Sequence, residues 1–360
     1  MSKIYTLNAL RKRGLIAQSE QSPDQKNPQD PIVQVAEQFS VAVSEHLLRS
    51  IEASPNPKQH PMALQFLPTP AELNIRPEES RDPIGEESRS PVKGIVHRYP
   101  DRCLLMPLMV CPTYCRFCFR REKVSKKDQS LSSDELTKAY AYIAEHPEIW
   151  EVILTGGEPL MLKPEKLRAI IETLNTIDHV KVIRIHTRLP VFDPERITQT
   201  LVEALQSPKA VYVALHVNHP TELTEPTINA CKRFIQAGIP MLSQTVLLKG
   251  INDDPAVIGQ LMRDLVSHRI KPYYLHHGEL AQGTSHFRTS IKQGQALLKA
   301  LRGHYSGLCQ PTYVLDIPGG YGKVPISSIK PLRHVDDKTG ACHYRVEDYQ
   351  GCEHDYVECL

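Results

Sequence analysis

Short apolar runs recur along this chain from residue 104 onward, separated by amphipathic stretches. The runs lie at 104–110, 151–155, 180–186, 210–217, 241–248 and 272–276. Each is nearly continuous in apolar residues, the pattern of a strand buried on both faces. Between them, 133–145, 164–174, 195–205, 222–237 and 255–267 carry apolar residues at helical spacing. Strand then helix, about six times over, predicts a parallel sheet with helices on its outside. Six βα units fall short of a closed eightfold barrel. The expected fold class is therefore α/β, a partial, three-quarter βα barrel of about six parallel strands.

The first 95 residues lack strand signals. A helical stretch over 31–53 gives way to a proline-rich, irregular passage through Pro91. We expect three parts: an N-terminal helical and irregular lobe over 1–95, the partial barrel over 96–319, and a short C-terminal extension over 320–360. The extension is polar and holds Cys342, Cys352 and Cys359, too widely spaced to predict zinc. A chain of 360 residues is long enough for a barrel-sized core with an added lobe.

Charge is balanced, 43 basic residues against 41 acidic, with no basic block, so no nucleic-acid partner is expected. No run approaches a membrane span, and Met1 to Tyr5 opens no apolar signal region. Nine cysteines, three of them clustered, suit a reducing cytoplasm better than a disulfide framework.

That cluster is Cys111, Cys115 and Cys118, spaced C-x3-C-x2-C after the first apolar run. Three thiolates this close can hold three corners of a 4Fe–4S cube and leave one iron free for a small molecule. Structural zinc is the alternative, but it wants four ligands and usually C-x2-C pairs. The arrangement resembles the radical S-adenosylmethionine enzymes. At the end of the second run stands Gly156-Gly157-Glu158-Pro159. Alone this is an ordinary strand-to-helix turn. One βα unit after the cysteine loop, it resembles those enzymes' contact to the methionine amine, with Glu158 offering a carboxylate and the glycines close approach.

A third motif runs from Leu315 to Pro325 and includes Asp316, three glycines and Lys323. It is not a phosphate-binding P-loop, because Ile317 stands where the first glycine belongs and Val324 replaces Ser/Thr. A lysine on a flexible loop can form a Schiff base with an aldehyde cofactor, whereas the segment alone reads more readily as a surface turn with a solvated lysine.

Together the three motifs resemble the lysine 2,3-aminomutase family of radical S-adenosylmethionine, pyridoxal-phosphate enzymes. The resemblance runs from about Gly94 to about Pro325. It includes His97 through Arg102 before the cluster and Phe119-Arg120-Arg121 after it. Ile185 through Pro190, Val217 through Pro220, Gln244 through Asp253 and Ser285 through Thr289 follow in order. It implies that L-lysine and β-lysine are interconverted by radical migration of the amino group. It also implies a 4Fe–4S cluster on Cys111, Cys115 and Cys118, S-adenosylmethionine at Gly156, Gly157 and Glu158, and pyridoxal 5′-phosphate on Lys323. Arg98 and Tyr99 would contact the phosphate cofactor, and Arg120 the substrate carboxylate, although a lone arginine is by default an ion-pair residue. Gln244 and His219 are candidates for the adenosine.

Substrate choice would rest on two acids facing the far ammonium of lysine. Asp316 matches one. The other falls on Glu279, where the lysine pattern has Asp; the extra methylene shifts the carboxylate by about 1.5 Å. Glu279 reads equally as an exposed loop acid. Ornithine and arginine remain alternatives, as do the branch that makes β-lysine for elongation factor P and a radical enzyme without pyridoxal phosphate. Family membership further implies a homo-oligomer and an electron donor such as flavodoxin or ferredoxin.

Overall fold

Residues 3–16, 29–124, 130–335 and 341–358 are described by the computed structural model. In the N-terminal lobe two short strands, β1 (Ile4–Tyr5) and β2 (Val43–Ser44), pair antiparallel. Short helices follow at Glu45–Glu52 and Pro61–Phe66, and their apolar faces join the main core through Leu47, Leu48, Ile51, Met62 and Phe66. The proline-rich passage forms 3-10 turns rather than strands.

The main sheet holds nine strands in chain order: β3 (Ile95–Tyr99), β4 (Arg102–Leu108), β5 (Glu151–Gly156), β6 (Val182–Thr187), β7 (Ala210–His216), β8 (Met241–Val246), β9 (Ile270–His276), β10 (Thr312–Ile317) and β11 (Gly322–Pro325). Pairing from β4 through β10 is parallel throughout, and only the flanks β3 and β11 run antiparallel. Burial follows position. Strand β4, beside the flank, alternates buried and half-buried residues, whereas β5 and β6 are buried almost throughout. Helices return the chain between parallel strands and start on marked caps. Ser132 and Glu135 form a reciprocal capping box, Ser290 and Gln293 another, and Asp254 caps the helix that opens at Pro255.

Six βα units are present as the sequence predicts, but the sheet is larger than six strands. The seventh parallel strand, β10, was hidden because Asp316 and the glycines after it read as loop. Strand β3 was hidden by its polar residues His97 and Arg98. The sheet also runs through residue 320 without a break. Lys323 stands on β11, paired with Asp316 of β10, rather than on a flexible loop or in the tail. The tail itself folds into an antiparallel sheet of β12 (Pro331–Val335), β13 (Cys342–Glu347) and β14 (Glu353–Glu358). Cys359 lies outside the described residues.

Backbone pairing does not join β3 to β11, yet side chains do. The Lys323 N–H donates to Tyr99 Oη at 2.6 Å, and Arg98 Nη1 donates to Asp316 Oδ1 at 3.1 Å. Glycine at 322 permits this approach: its φ is +96°, and a Cβ there would stand 2.9 Å from Tyr99 Oη. The sheet is thus an incomplete barrel whose gap is spanned by side chains.

Candidate active site

The cysteine loop leaves the C-terminal end of β4 and is seated from two sides. From within the barrel, the Gly157 N–H donates to Leu108 O at 2.9 Å and the Glu158 N–H to Val110 O at 3.0 Å. A Cβ on Gly156 would lie 2.6 Å from Leu108 O, and one on Gly157 would lie 2.6 Å from Val110 N. The glycine pair therefore makes room for the backbone that leads into Cys111. From the lobe, the Ser44 N–H donates to Thr113 Oγ1 at 3.0 Å and the Arg116 N–H to Gln65 O at 2.8 Å.

The Glu158 carboxylate is fully buried and accepts from Thr187 Oγ1 at 2.7 Å, Arg188 N at 2.8 Å and Leu160 N at 3.1 Å. Burial pushes its pKa up to about 7 against the pull of these bonds. In this arrangement the carboxylate fastens the end of β5 to the end of β6.

Burial likewise raises the thiols: Cys118 to about 12, Cys111 well above its ordinary value, and Cys115 upward against the opposing pull of Arg188. A nucleophilic cysteine needs the reverse shift. Buried thiols of this kind lose their protons by bonding metal, so the donor set fits an iron–sulfur cluster.

Arginines surround the loop, and each has a carboxylate. Arg116 and Arg121 converge on buried Glu72, Arg188 pairs with Glu222 at 2.8 Å, and Arg120 pairs with Glu86 at 2.6 Å. Arg120 reaches both oxygens of Glu86 and also Gly156 O at 3.3 Å. Its expected carboxylate partner is thus already supplied by the chain itself. Glu86 sits in the proline-rich passage, where nothing in the sequence marks it.

At the other end of the site, Asp316 accepts from Lys323 Nζ at 2.9 Å and from Arg98. Burial alone would raise Asp316, but the charges of Lys323 and Arg98 hold it below the usual carboxylate range. One ligand atom from each of His276, Glu279 and Asp316 lies within 4.8 Å of the others. Burial and the Asp316 charge push Glu279 up to about 7, while burial and Lys323 push His276 down to about 4, leaving that imidazole neutral. Glu279 is therefore a half-buried partner of Asp316 and not a surface acid.

The cysteine end and the lysine end open on one cavity of about 280 Å³, close to the size range of small-molecule sites. Arg98, Tyr99, Cys111, Cys115, Cys118, Arg120, Gly156, Gly157, Glu158, Glu279, Asp316 and Lys323 all line it, as does Gln244. His219 is not among the lining residues and caps a turn at Thr221 instead. His186, His216, Tyr274 and His276 also face the cavity. The signal that marks them is a histidine or tyrosine at or near the C-terminal end of a strand, seen in β6, β7 and β9.

Comparison with known proteins gives the site its context. Residues 106–258 match the model of the radical SAM superfamily, and residues 298–340 match the model described as lysine-2,3-aminomutase. The chain is 40% identical over 316 residues to the L-lysine 2,3-aminomutase of Clostridium subterminale, covering 88% of this chain and 76% of that protein. This chain belongs to the lysine 2,3-aminomutase family. It is also 41% identical to the L-lysine 2,3-aminomutase of Methanococcus maripaludis, over 83% of this chain and 68% of that protein. A glutamate 2,3-aminomutase from Clostridioides difficile is 38% identical, over 84% and 71%. Among solved structures, SuiB of Streptococcus suis bound to S-adenosylmethionine aligns at a TM-score of 0.45 and 17% identity, over 61% of this chain and 51% of that one. As a member of the aminomutase family the protein is an isomerase of the radical SAM superfamily, with the 4Fe–4S cluster and S-adenosylmethionine that this membership implies. Among the described residues no helix is long and apolar enough to cross a membrane.

Proposed function

We propose that the protein is an L-lysine 2,3-aminomutase that moves the amino group of L-lysine between C2 and C3, interconverting it with β-lysine. The convergence of Asp316, Glu279 and neutral His276 beside Lys323 carries this reading. A primary ammonium has three donors, and two carboxylates with one neutral imidazole offer three acceptor groups around one point. Lys323 itself is a primary ammonium already held by Asp316. The side-chain carboxylate of glutamate would meet like charge here, which argues against the substrate named for the Clostridioides relative.

Pyridoxal 5′-phosphate fits the lysine end. Arg98 and Arg184 both line the cavity and, among the described residues, leave buried Nε–H groups without a partner, donors suited to a phosphate. Lys323, Arg98 and Tyr99 are the residues to hold the cofactor, which when bound supplies a conjugated ring that takes the migrating amine and spreads an unpaired electron. Cys111, Cys115 and Cys118 are the residues to hold the cluster, with Gly156, Gly157 and Glu158 on the S-adenosylmethionine side. The cluster and S-adenosylmethionine supply the hydrogen-abstracting radical, with electrons from a low-potential donor protein. Arg120 is the cation for the substrate carboxylate, on the condition that Glu86 shares it. The walls of the barrel keep water from the reacting atoms.

The test is anaerobic turnover of reconstituted protein with S-adenosylmethionine, pyridoxal phosphate, a strong reductant and L-lysine. β-Lysine should form, and Lys323→Ala should reduce it to background. Absence of β-lysine from protein with full iron content and bound pyridoxal phosphate overturns the lysine assignment.

A further inference from the structure

Arg188 follows Thr187 at the end of β6, and its buried guanidinium links a cysteine of the loop to a buried carboxylate. Nη1 donates to Cys115 Sγ at 3.1 Å. Nη2 donates to Gln65 Oε1 at 2.6 Å and to Glu222 Oε2 at 2.8 Å. Glu222 is in turn fixed by Gln65 Nε2 at 2.9 Å and by the Asn218 N–H at 3.1 Å. The rings of Phe66, Phe117 and Phe192 lie 4.7, 5.2 and 5.6 Å from the guanidinium carbon and exclude water from the contact. The Arg188 N–H donates to Glu158 Oε2 at 2.8 Å, which fixes where the side chain starts.

A cluster that gains an electron gains negative charge, much of it carried on its sulfurs. Hydrogen bonds to those sulfurs and nearby cations favour the reduced state, and nearby anions oppose it. Here both influences lie in line: a cationic donor touches the sulfur and a buried carboxylate stands behind the donor. Low local polarity strengthens both.

We propose that Arg188 sets the reduction potential of the cluster through its hydrogen bond to Cys115, raising it, and that Glu222 limits the rise. The inference rests on Cys115 being a cluster ligand. The step concerned is reduction of the cluster by one electron from an external low-potential reductant. The Cys115–iron bond persists and no proton moves.

An EPR-monitored redox titration of the reconstituted protein, without S-adenosylmethionine or substrate, tests this. Arg188→Met should lower the midpoint, so that the reduced-to-oxidised ratio at a fixed potential falls about tenfold, equivalent to 59 mV for one electron. Glu222→Gln should shift the midpoint the opposite way by a smaller amount, and Arg188→Lys should recover part of the loss. A purely structural ion pair predicts no such opposition. Unchanged midpoints at full iron content, or shifts of one sign in both variants, overturn the proposal. If Arg188→Met does not fold, the upward shift in Glu222→Gln alone decides. A cluster that survives intact in Cys115→Ala overturns the underlying ligand assignment, a separate failure visible in iron content.

Discussion

The cysteine end and the lysine end of the cavity treat charge in opposite ways. Around the cysteines, every arginine has a buried carboxylate: Glu72 for Arg116 and Arg121, Glu86 for Arg120, Glu222 for Arg188. At the lysine end, among the described residues, Glu279 makes no ion pair, and burial holds it near half-protonation. Asp316 is the only one of the trio with cations at hydrogen-bond distance, and one of those is Lys323, the residue expected to hold the cofactor. The first end is a framework satisfied by its own chain. The second keeps acceptors in reserve, which is what a site for a cationic substrate requires.

The difference can be broken at its strongest point first. Glu72→Ala strands two buried guanidinium groups and should cost about 3–5 kcal/mol of stability, read by denaturant unfolding of the full chain. A loss below about 1 kcal/mol would mean that the framework is not held by its charges. Next, Asp316→Asn keeps the shape and removes the charge. The KM for lysine should rise at least thirtyfold, about 2 kcal/mol, with the iron content unchanged. An unchanged KM removes Asp316 from substrate recognition.

Protonation offers a gentler probe. Glu279 has a pKa raised to about 7, so it is charged above that pH and neutral below it. The lysine ammonium stays charged throughout this range. The KM should therefore rise as pH falls below about 7, by up to about tenfold per unit, and Glu279→Gln should flatten the profile. A wild-type profile that is flat from pH 8 to pH 6 would count against the role of Glu279. The smallest effect is expected at the border between the ends. Glu86→Gln leaves Arg120 its charge and removes the competing anion, so the KM for lysine should fall a few-fold. A rise instead would show that Arg120 serves Glu86 and not the substrate.

Much of this was legible in the sequence because the decisive residues sit in local patterns. The cysteine spacing, the glycine pair and the Asp316–Lys323 interval each announce themselves within a dozen positions, and all line the cavity. The six βα repeats show in apolar periodicity alone. What escaped was determined by distance along the chain. Glu72 meets Arg116 across 44 residues and Glu86 meets Arg120 across 34. Nothing in a proline-rich passage says that its acids will be buried. Glycine and glutamate at 156–158 read either as an ordinary turn or as a ligand contact, and neither reading foretold that they seat the strand ends beneath the cysteine loop. Strand β10 was obscured for a related reason: an acid inside a buried strand breaks the apolar signal at the position where chemistry needs it.

The gap in the barrel has a mechanical side. Its two flanking strands meet through Arg98, Tyr99, Asp316 and the Lys323 backbone, and Tyr349 from the tail leans on the same place, donating to Arg98 O at 3.2 Å. The ring is therefore a split hoop with a clasp, and one member of the clasp, Asp316, is the acid expected to meet the substrate ammonium. An ammonium bound at Asp316 would share a carboxylate that Arg98 and Lys323 already use to close the hoop.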